Sequence, residues 1–218
     1  MLKMNIGKNK EDMFHTQKFN FEDFLSRYID EPEEMEIFDV VNALKPFQIE
    51  VGQVWVAGGA VRKTLLQKEI DSDSDFFFSN KEALVAFKQY VKEEGGKLSS
   101  ETQHQETYLI DIQNKPRVIQ LIKIGFYENV SKLLDTFDFT ITQFAYDGES
   151  LYAGSHSLWD LSRNRLALHK LTYGVATMRR LIKYTNQVFI ACAGTMQSIL
   201  EEAVKNPDEI KSEIKYID

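Results

Sequence analysis

Residues 54–78, VWVAGGAVRKTLLQKEIDSDSDFFF, constrain the fold of this chain more than any other stretch. The apolar run Val54-Trp55-Val56-Ala57 ends on Gly58-Gly59, which predicts a buried strand entering a tight turn. Paired glycines permit positive φ and leave room for a ligand to approach the main chain. Residues 60–69 then read as a helix, with Val61, Leu65 and Leu66 on one face. Its free N–H groups and its dipole point back at the turn, an arrangement that attracts phosphate. Arg62, in the first turn, supplies a bidentate grip on phosphate oxygens. A Gly-Gly before a helix is also an ordinary structural turn, so taken alone it is a weak signal.

The carboxylates that follow strengthen it. Asp71, Asp73 and Asp75 alternate ahead of Phe76-Phe77-Phe78. On a strand, residues two apart share a face, so Asp73 and Asp75 are expected to project side by side. Two carboxylates this close repel, and a bound Mg²⁺ relieves the repulsion. Magnesium takes one or two carboxylates plus substrate phosphates, and metal ions so placed clamp the attacking and leaving oxygens of a displacement. The plainer reading is a solvated acidic loop ahead of a hydrophobic strand.

Gly58-Gly59-Ala60-Val61-Arg62-Lys63-Thr64-Leu65-Leu66-Gln67 followed by Asp73-Ser74-Asp75 resembles the first motif of the polymerase β-type nucleotidyltransferases, GGxVRDxLLG and then DxD. The likeness is to the head and neck of bacterial tRNA CCA-adding enzymes and poly(A) polymerases. Asp138-Phe139-Thr140-Ile141-Thr142-Gln143-Phe144-Ala145-Tyr146-Asp147 is similar to the family's DFTINALAYD block. Leu158-Trp159-Asp160-Leu161 with Arg165-Leu166 resembles its EDL…RL stretch, and Met178-Arg179-Arg180-Leu181-Ile182-Lys183-Tyr184 its LRAARF helix. The four blocks stand in family order over roughly residues 50–190.

The resemblance implies an α+β fold: a nucleotidyltransferase-like mixed sheet with helices on one face, followed by a small helical neck. It divides the chain into an N-terminal helical segment (1–50), a head (51–155) and a neck-like appendage (156–218). It implies transfer of NMP from an NTP, ATP or CTP, to an acceptor hydroxyl, with an RNA 3′ end as the first acceptor class. The rivals are nucleotidylation of a protein or small molecule and a degenerate, non-catalytic nucleotide binder. Asp73 and Asp75 are the expected catalytic ligands of Mg²⁺ or Mn²⁺. Gly58, Gly59, Arg62, Asp138, Arg179 and Lys183 are the expected nucleotide-binding residues.

The departures from the family pattern are specific. Lys63 replaces an aspartate and Gln67 a glycine, and the spacing from the glycines to the aspartate pair is one residue longer unless Asp71 and Asp73 form the pair. The third metal carboxylate becomes Gln120, with Asp111 on the partner strand as its expected substitute. Thr136 and Phe137 stand where arginines precede the DFT block, and the base-selecting EDxxRxxR segment, here Thr172 to Arg179, keeps only its last arginine.

A chain of 218 residues with 43% apolar content can bury a substantial core. No apolar run reaches the roughly 20 residues of a membrane span, and the N-terminus lacks a signal-peptide core. Cys192 is the only cysteine, so no internal disulfide forms and a cytoplasmic setting is the default. A net charge of −7 argues against nonspecific nucleic-acid binding by the whole surface. Yet residues 163–183 carry Arg163, Arg165, Lys170, Arg179, Arg180 and Lys183 and no acid, which suits a triphosphate or an RNA/tRNA backbone as partner. His15, His104, His156 and His169 show no metal-ligand spacing. Further elements are expected as helices over 19–28, 33–45, 82–93 and 128–134, hairpins over 108–124 and 143–153, a loop over 97–105, and helix from 171 to about 204.

Overall fold

Alternation along the central strands decides which side of the sheet each residue serves. In the computed structural model, which describes residues 14–171 and 174–205, β2 (Val54–Ala57) sends Val54 and Val56 to one face and Trp55 and Ala57 to the other. Its antiparallel neighbour β3 (Ser74–Phe78) likewise splits Phe76 and Phe78 from Phe77. The first face carries the main core. Against it pack α1 (Phe21–Leu25), α2 (Glu36–Leu44), α3 (Gly59–Leu65) and α4 (Lys81–Glu93), through residues such as Leu44, Val61 and Phe87. The second face carries a smaller cluster of Trp55, Ala57, Phe77 and Ala145, covered by Leu133 and Leu134 of α5 (Val130–Leu134).

The remaining strands are β1 (Thr16–Asn20), β4 (Lys97–Glu101), β5 (Gln105–Ile112), β6 (Lys115–Ile122), β7 (Phe144–Tyr146) and β8 (Ser150–Gly154). The eight strands run in the order β1-β8-β7-β2-β3-β6-β5-β4. Only β3 and β6 pair in parallel, so the sheet is mixed, and the α+β expectation holds. After α6 (Ser157–Ser162) come β9 (Arg165–Leu166), α7 (Gly174–Thr185), β10 (Ile190–Ala191) and α8 (Ala193–Lys205), which form the small helical end of the chain. β9 and β10 pair in parallel, and Thr195 donates from Oγ1 to the Leu166 carbonyl at 3.0 Å.

Four elements differ from the sequence expectation. The helix expected over 19–28 begins only at Phe21, because residues 16–20 pair with β8 as an edge strand and Asn20 caps the helix by accepting from the Asp23 N–H at 2.9 Å. The loop expected at 97–105 contains β4, an edge strand exposed at every position, which leaves no apolar alternation to read. The helix after Gly59 stops at Leu65, and Gln67 takes a φ of 53° as the chain turns toward β3. The long helix expected from 171 is broken at 186–192, where Val188 adopts a φ of 70°. The stop expected at Asn206-Pro207 lies outside the described residues, as do Thr172 and Tyr173.

Candidate active site

The Gly58-Gly59 turn and the aspartate pair meet at one end of the sheet. Gly58 has a φ of 80°, its N–H donates to the Phe144 carbonyl at 2.8 Å, and its carbonyl accepts from the Arg62 N–H to open α3. A Cβ on Gly58 would stand 3.3 Å from Cε1 of Phe137, while one on Gly59 would meet only Ser72 Oγ at 3.8 Å. Ala57, the last residue before the turn, pairs across the ladder with Asp75, so this carboxylate lies directly beside the bend. Asp75 pairs on its other side with Gln120 of β6. Directly opposed residues share a face, and this face is the one with the smaller apolar cluster. Asp75 is only partly accessible, and burial together with the Asp73 carboxylate pushes its pKa up to about 7, against the pull of Lys183 and Arg180. Asp75 therefore senses the Asp73 charge, and the charges of Lys183 and Arg180 on α7 act on it.

Gln120, expected from the sequence at the place of the third carboxylate, donates from Nε2 to Asp73 Oδ2. Asp111 does not substitute for it. Gln120 pairs with Thr107, whereas Asp111 pairs with Pro116 near the hairpin tip, four residues further along β5 and exposed. That offset is roughly 13 Å at strand rise. Among the described residues, no three His, Cys, Asp or Glu side chains converge as a metal cage. Two neighbouring carboxylates, one held protonated toward neutrality by burial and then by the charge of the other, are still a donor set that suits Mg²⁺, which draws its remaining ligands from phosphate and water. The residues present fit the ion on those terms.

Arg62 is placed differently from the expectation. Only 2% exposed, its guanidinium lies 4.7 Å from the Tyr184 ring centroid and 5.5 Å from that of Phe189, and Nη2 donates to Gln187 Oε1 at 3.0 Å. It ties α3 to the helical end of the chain, since the guanidinium stacks on aromatic faces there. Its neighbour Lys63 reaches the other way. Nζ contacts Asp71 Oδ1 and donates to Ser72 Oγ at 2.9 Å, and it also feels the charge of Asp73. Burial, Arg62 and Lys183 lower its pKa. Lys63 is thus the cation of α3 that borders the aspartates, and its replacement of an acid was the only sequence signal for it.

Asp138, buried, accepts from Thr177 Oγ1 at 2.9 Å and pairs with Nη1 of Arg180. Thr177 and Arg180 are three residues apart on α7 and so meet Asp138 from one side of the helix, and Arg179 and Arg180 are both exposed. Lys183 is exposed, one turn beyond Arg179, and its charge acts on Asp75 and Lys63. Asp147 serves the β7–β8 turn, accepting from the Glu149 and Ser150 N–H groups and the Tyr152 hydroxyl.

The fold is nucleotidyltransferase-like, of the polymerase β type. Three solved structures share the fold: a CCA-adding enzyme in apo form (TM-score 0.63, 20% identity, 89% of this chain and 48% of that one), a CCA-adding enzyme complexed with CTP (0.64, 22%, 87% and 45%) and a Thermotoga maritima CCA-adding enzyme complexed with tRNA (0.62, 22%, 87% and 46%). The chain spans about half the length of these proteins. Residues 12–164 match the Gabija anti-defense 2 family, and the chain belongs to that family. No curated protein matches the sequence. Among the described residues, no helix is long and apolar enough to cross a membrane.

Proposed function

We propose that this protein is a metal-dependent nucleotidyltransferase that moves NMP from ATP or CTP to an acceptor hydroxyl, with a single-stranded RNA 3′ end as the acceptor. The family name extends the proposal to a counter-defence role against Gabija. One observation carries the reading: Asp75 sits in register with Ala57, beside the Gly58-Gly59 bend, with the charges of Asp73 and Lys183 acting on it.

The roles follow from that placement. Backbone N–H groups at the start of α3 and the Lys63 ammonium receive the β- and γ-phosphates. Asp73 and Asp75 would hold Mg²⁺, which when bound offsets charge building on the phosphates and makes the acceptor hydroxyl easier to deprotonate. Lys183 approaches the same phosphates from α7. Asp138, through Thr177 and Arg180, holds α7 where Lys183 can do so. Arg62 acts at one remove, locking α3 to the helical end. Relatives solved with CTP and with tRNA support the substrate classes.

A second reading has its own observation. The Gln120 amide already occupies Asp73, so the protein would bind nucleotide without transferring it. One assay separates the two. The protein is incubated with Mg²⁺, each labelled NTP in turn, and total RNA, beside the Asp73→Asn/Asp75→Asn double variant. Label on RNA that the variant loses is the expected result. Label on protein would redirect the acceptor, and nucleotide binding without label, unchanged in the variant, would leave the non-catalytic reading.

A further inference from the structure

The row of residues that crosses the sheet at Asp75 carries no second acid. From β8 to β5 it runs Tyr152, Ala145, Ala57, Asp75, Gln120 and Thr107, each the register partner of the next, so all share the face on which Asp75 lies. Further along the same face, Trp55 of β2, Phe77 of β3 and Ile122 of β6 are apolar. The β6 position beside Asp75 therefore decides whether a third carboxylate joins the pair, and it holds an amide. Nε2 of Gln120 donates to Asp73 Oδ2, so an N–H, which cannot ligate a cation, meets the carboxylate there.

Positive charge at the pair comes from the chain itself. Lys63 is held by the residues just ahead of Asp73: Nζ donates to Ser72 Oγ at 2.9 Å and meets Asp71, and its charge acts on Asp73. Lys183 acts on Asp75 from α7. Together the two ammonium groups carry the charge of one divalent ion. Paired catalytic metals stand roughly 3.5–4 Å apart. A second ion that close to the first would meet both ammonium groups, with only two carboxylates to offset it.

We infer that the site takes a single divalent ion: Gln120 withholds the ligand a second would need, and the Lys63 ammonium serves the phosphates in its place. The inference rests on the reading that Asp73 and Asp75 hold the metal of a bound nucleoside triphosphate. Those two residues would supply the carboxylates of the one ion, whose other ligands come from phosphate and water. Lys63 is a fixed point charge that no change in metal concentration empties. Nucleotide binding then depends on the metal through one ion per chain.

Mn²⁺ gives the count, because the paramagnetic resonance signal of the free ion is lost on binding. The protein, saturated with an α,β-methylene analogue of ATP or of CTP, is titrated with Mn²⁺ beside the analogue alone. One ion per chain is expected, held more tightly than by the analogue alone and without coupling to another. Gln120→Asp should raise the count to two. Lys63→Gln should leave it at one and weaken binding of the analogue about tenfold. Thermal melts followed by circular dichroism check that both variants fold, and the parent's count decides even where one does not. Two ions in the parent, or a coupled pair, overturn the inference and leave the transfer reading intact. A single ion in folded Gln120→Asp overturns the role of Gln120, and unchanged analogue affinity in folded Lys63→Gln overturns that of Lys63. Mn²⁺ held no better than by the analogue alone sinks the metal site, and the transfer reading with it. One ion per chain in a parent that transfers no label sinks only the transfer.

Discussion

Asp75 holds its proton tightly because its carboxyl is partly buried beside Asp73, and the consequence for stability has a definite sign. An acid whose folded pKa, about 7, exceeds its ordinary value of 3.8 binds more protons folded than unfolded between those values. Stability therefore falls as pH rises through that window. Asp75→Asn removes the fall, so in metal-free buffer its Tm should exceed that of the parent at about pH 8 by a few degrees, and match it at about pH 4. Glu36 runs the opposite way. Arg117 first, then the Ile70 N–H and Lys115, hold its pKa at about 2, against a smaller opposing effect of burial. The stability it contributes is complete above about pH 4.5 and is lost as pH falls toward 2. Glu36→Gln should flatten the acid limb of a melting-temperature profile and cost on the order of 2 kcal/mol at neutral pH, because Arg117 would remain buried with a weaker partner.

The turn between β2 and α3 depends on a backbone that only glycine adopts without strain. Gly58 combines a φ of 80° with a ψ of −122°, and a Cβ there would press on Phe137. Gly58→Ala should destabilise the fold by about 1–3 kcal/mol, read from urea unfolding, and depress label transfer further by tilting the start of α3. The β5–β6 hairpin invites a change in the other direction. Gln113 and Asn114 both have positive φ, 53° and 60°, as a two-residue turn of this hand requires. Asn114→Gly should stabilise by about 0.5–1 kcal/mol without altering transfer. Of these elements, β2, α4 and the two hairpins were legible because glycine punctuation and apolar periodicity mark them. β4 was not, since an exposed edge strand has no buried face to pattern. β1 was not, since Phe21, Phe24, Leu25 and Tyr28 repeat at helical spacing directly after it, and only pairing with β8 sets where the strand ends and the helix begins.

Ligand binding ties the site to the stability of the whole molecule. Mg²⁺ with ATP or CTP at about a hundredfold over Kd should stabilise the parent by about 2.7 kcal/mol. The Asp73→Asn/Asp75→Asn variant should show little of that shift in a thermal melt, and a shift of equal size in both would remove the aspartates from the site. Amino-acid order was sufficient for the glycine turn and for the strand that carries Asp75, because glycine freedom and strand alternation act over a few residues, while the family resemblance supplied the mixed α+β class; Asp73 lies just ahead of β3, outside the strand whose alternation was to set its face. Long-range packing alone settled three other matters. β6 brought Gln120 against Asp75 and left Asp111 at the hairpin tip, Arg62 turned into the aromatic contact with Tyr184 and Phe189, and Asp138 took Thr177 and Arg180 as partners. Strand register and helix rotation set these outcomes, and both are chosen by burial across the sheet, where partners distant in the chain compete for the same surface.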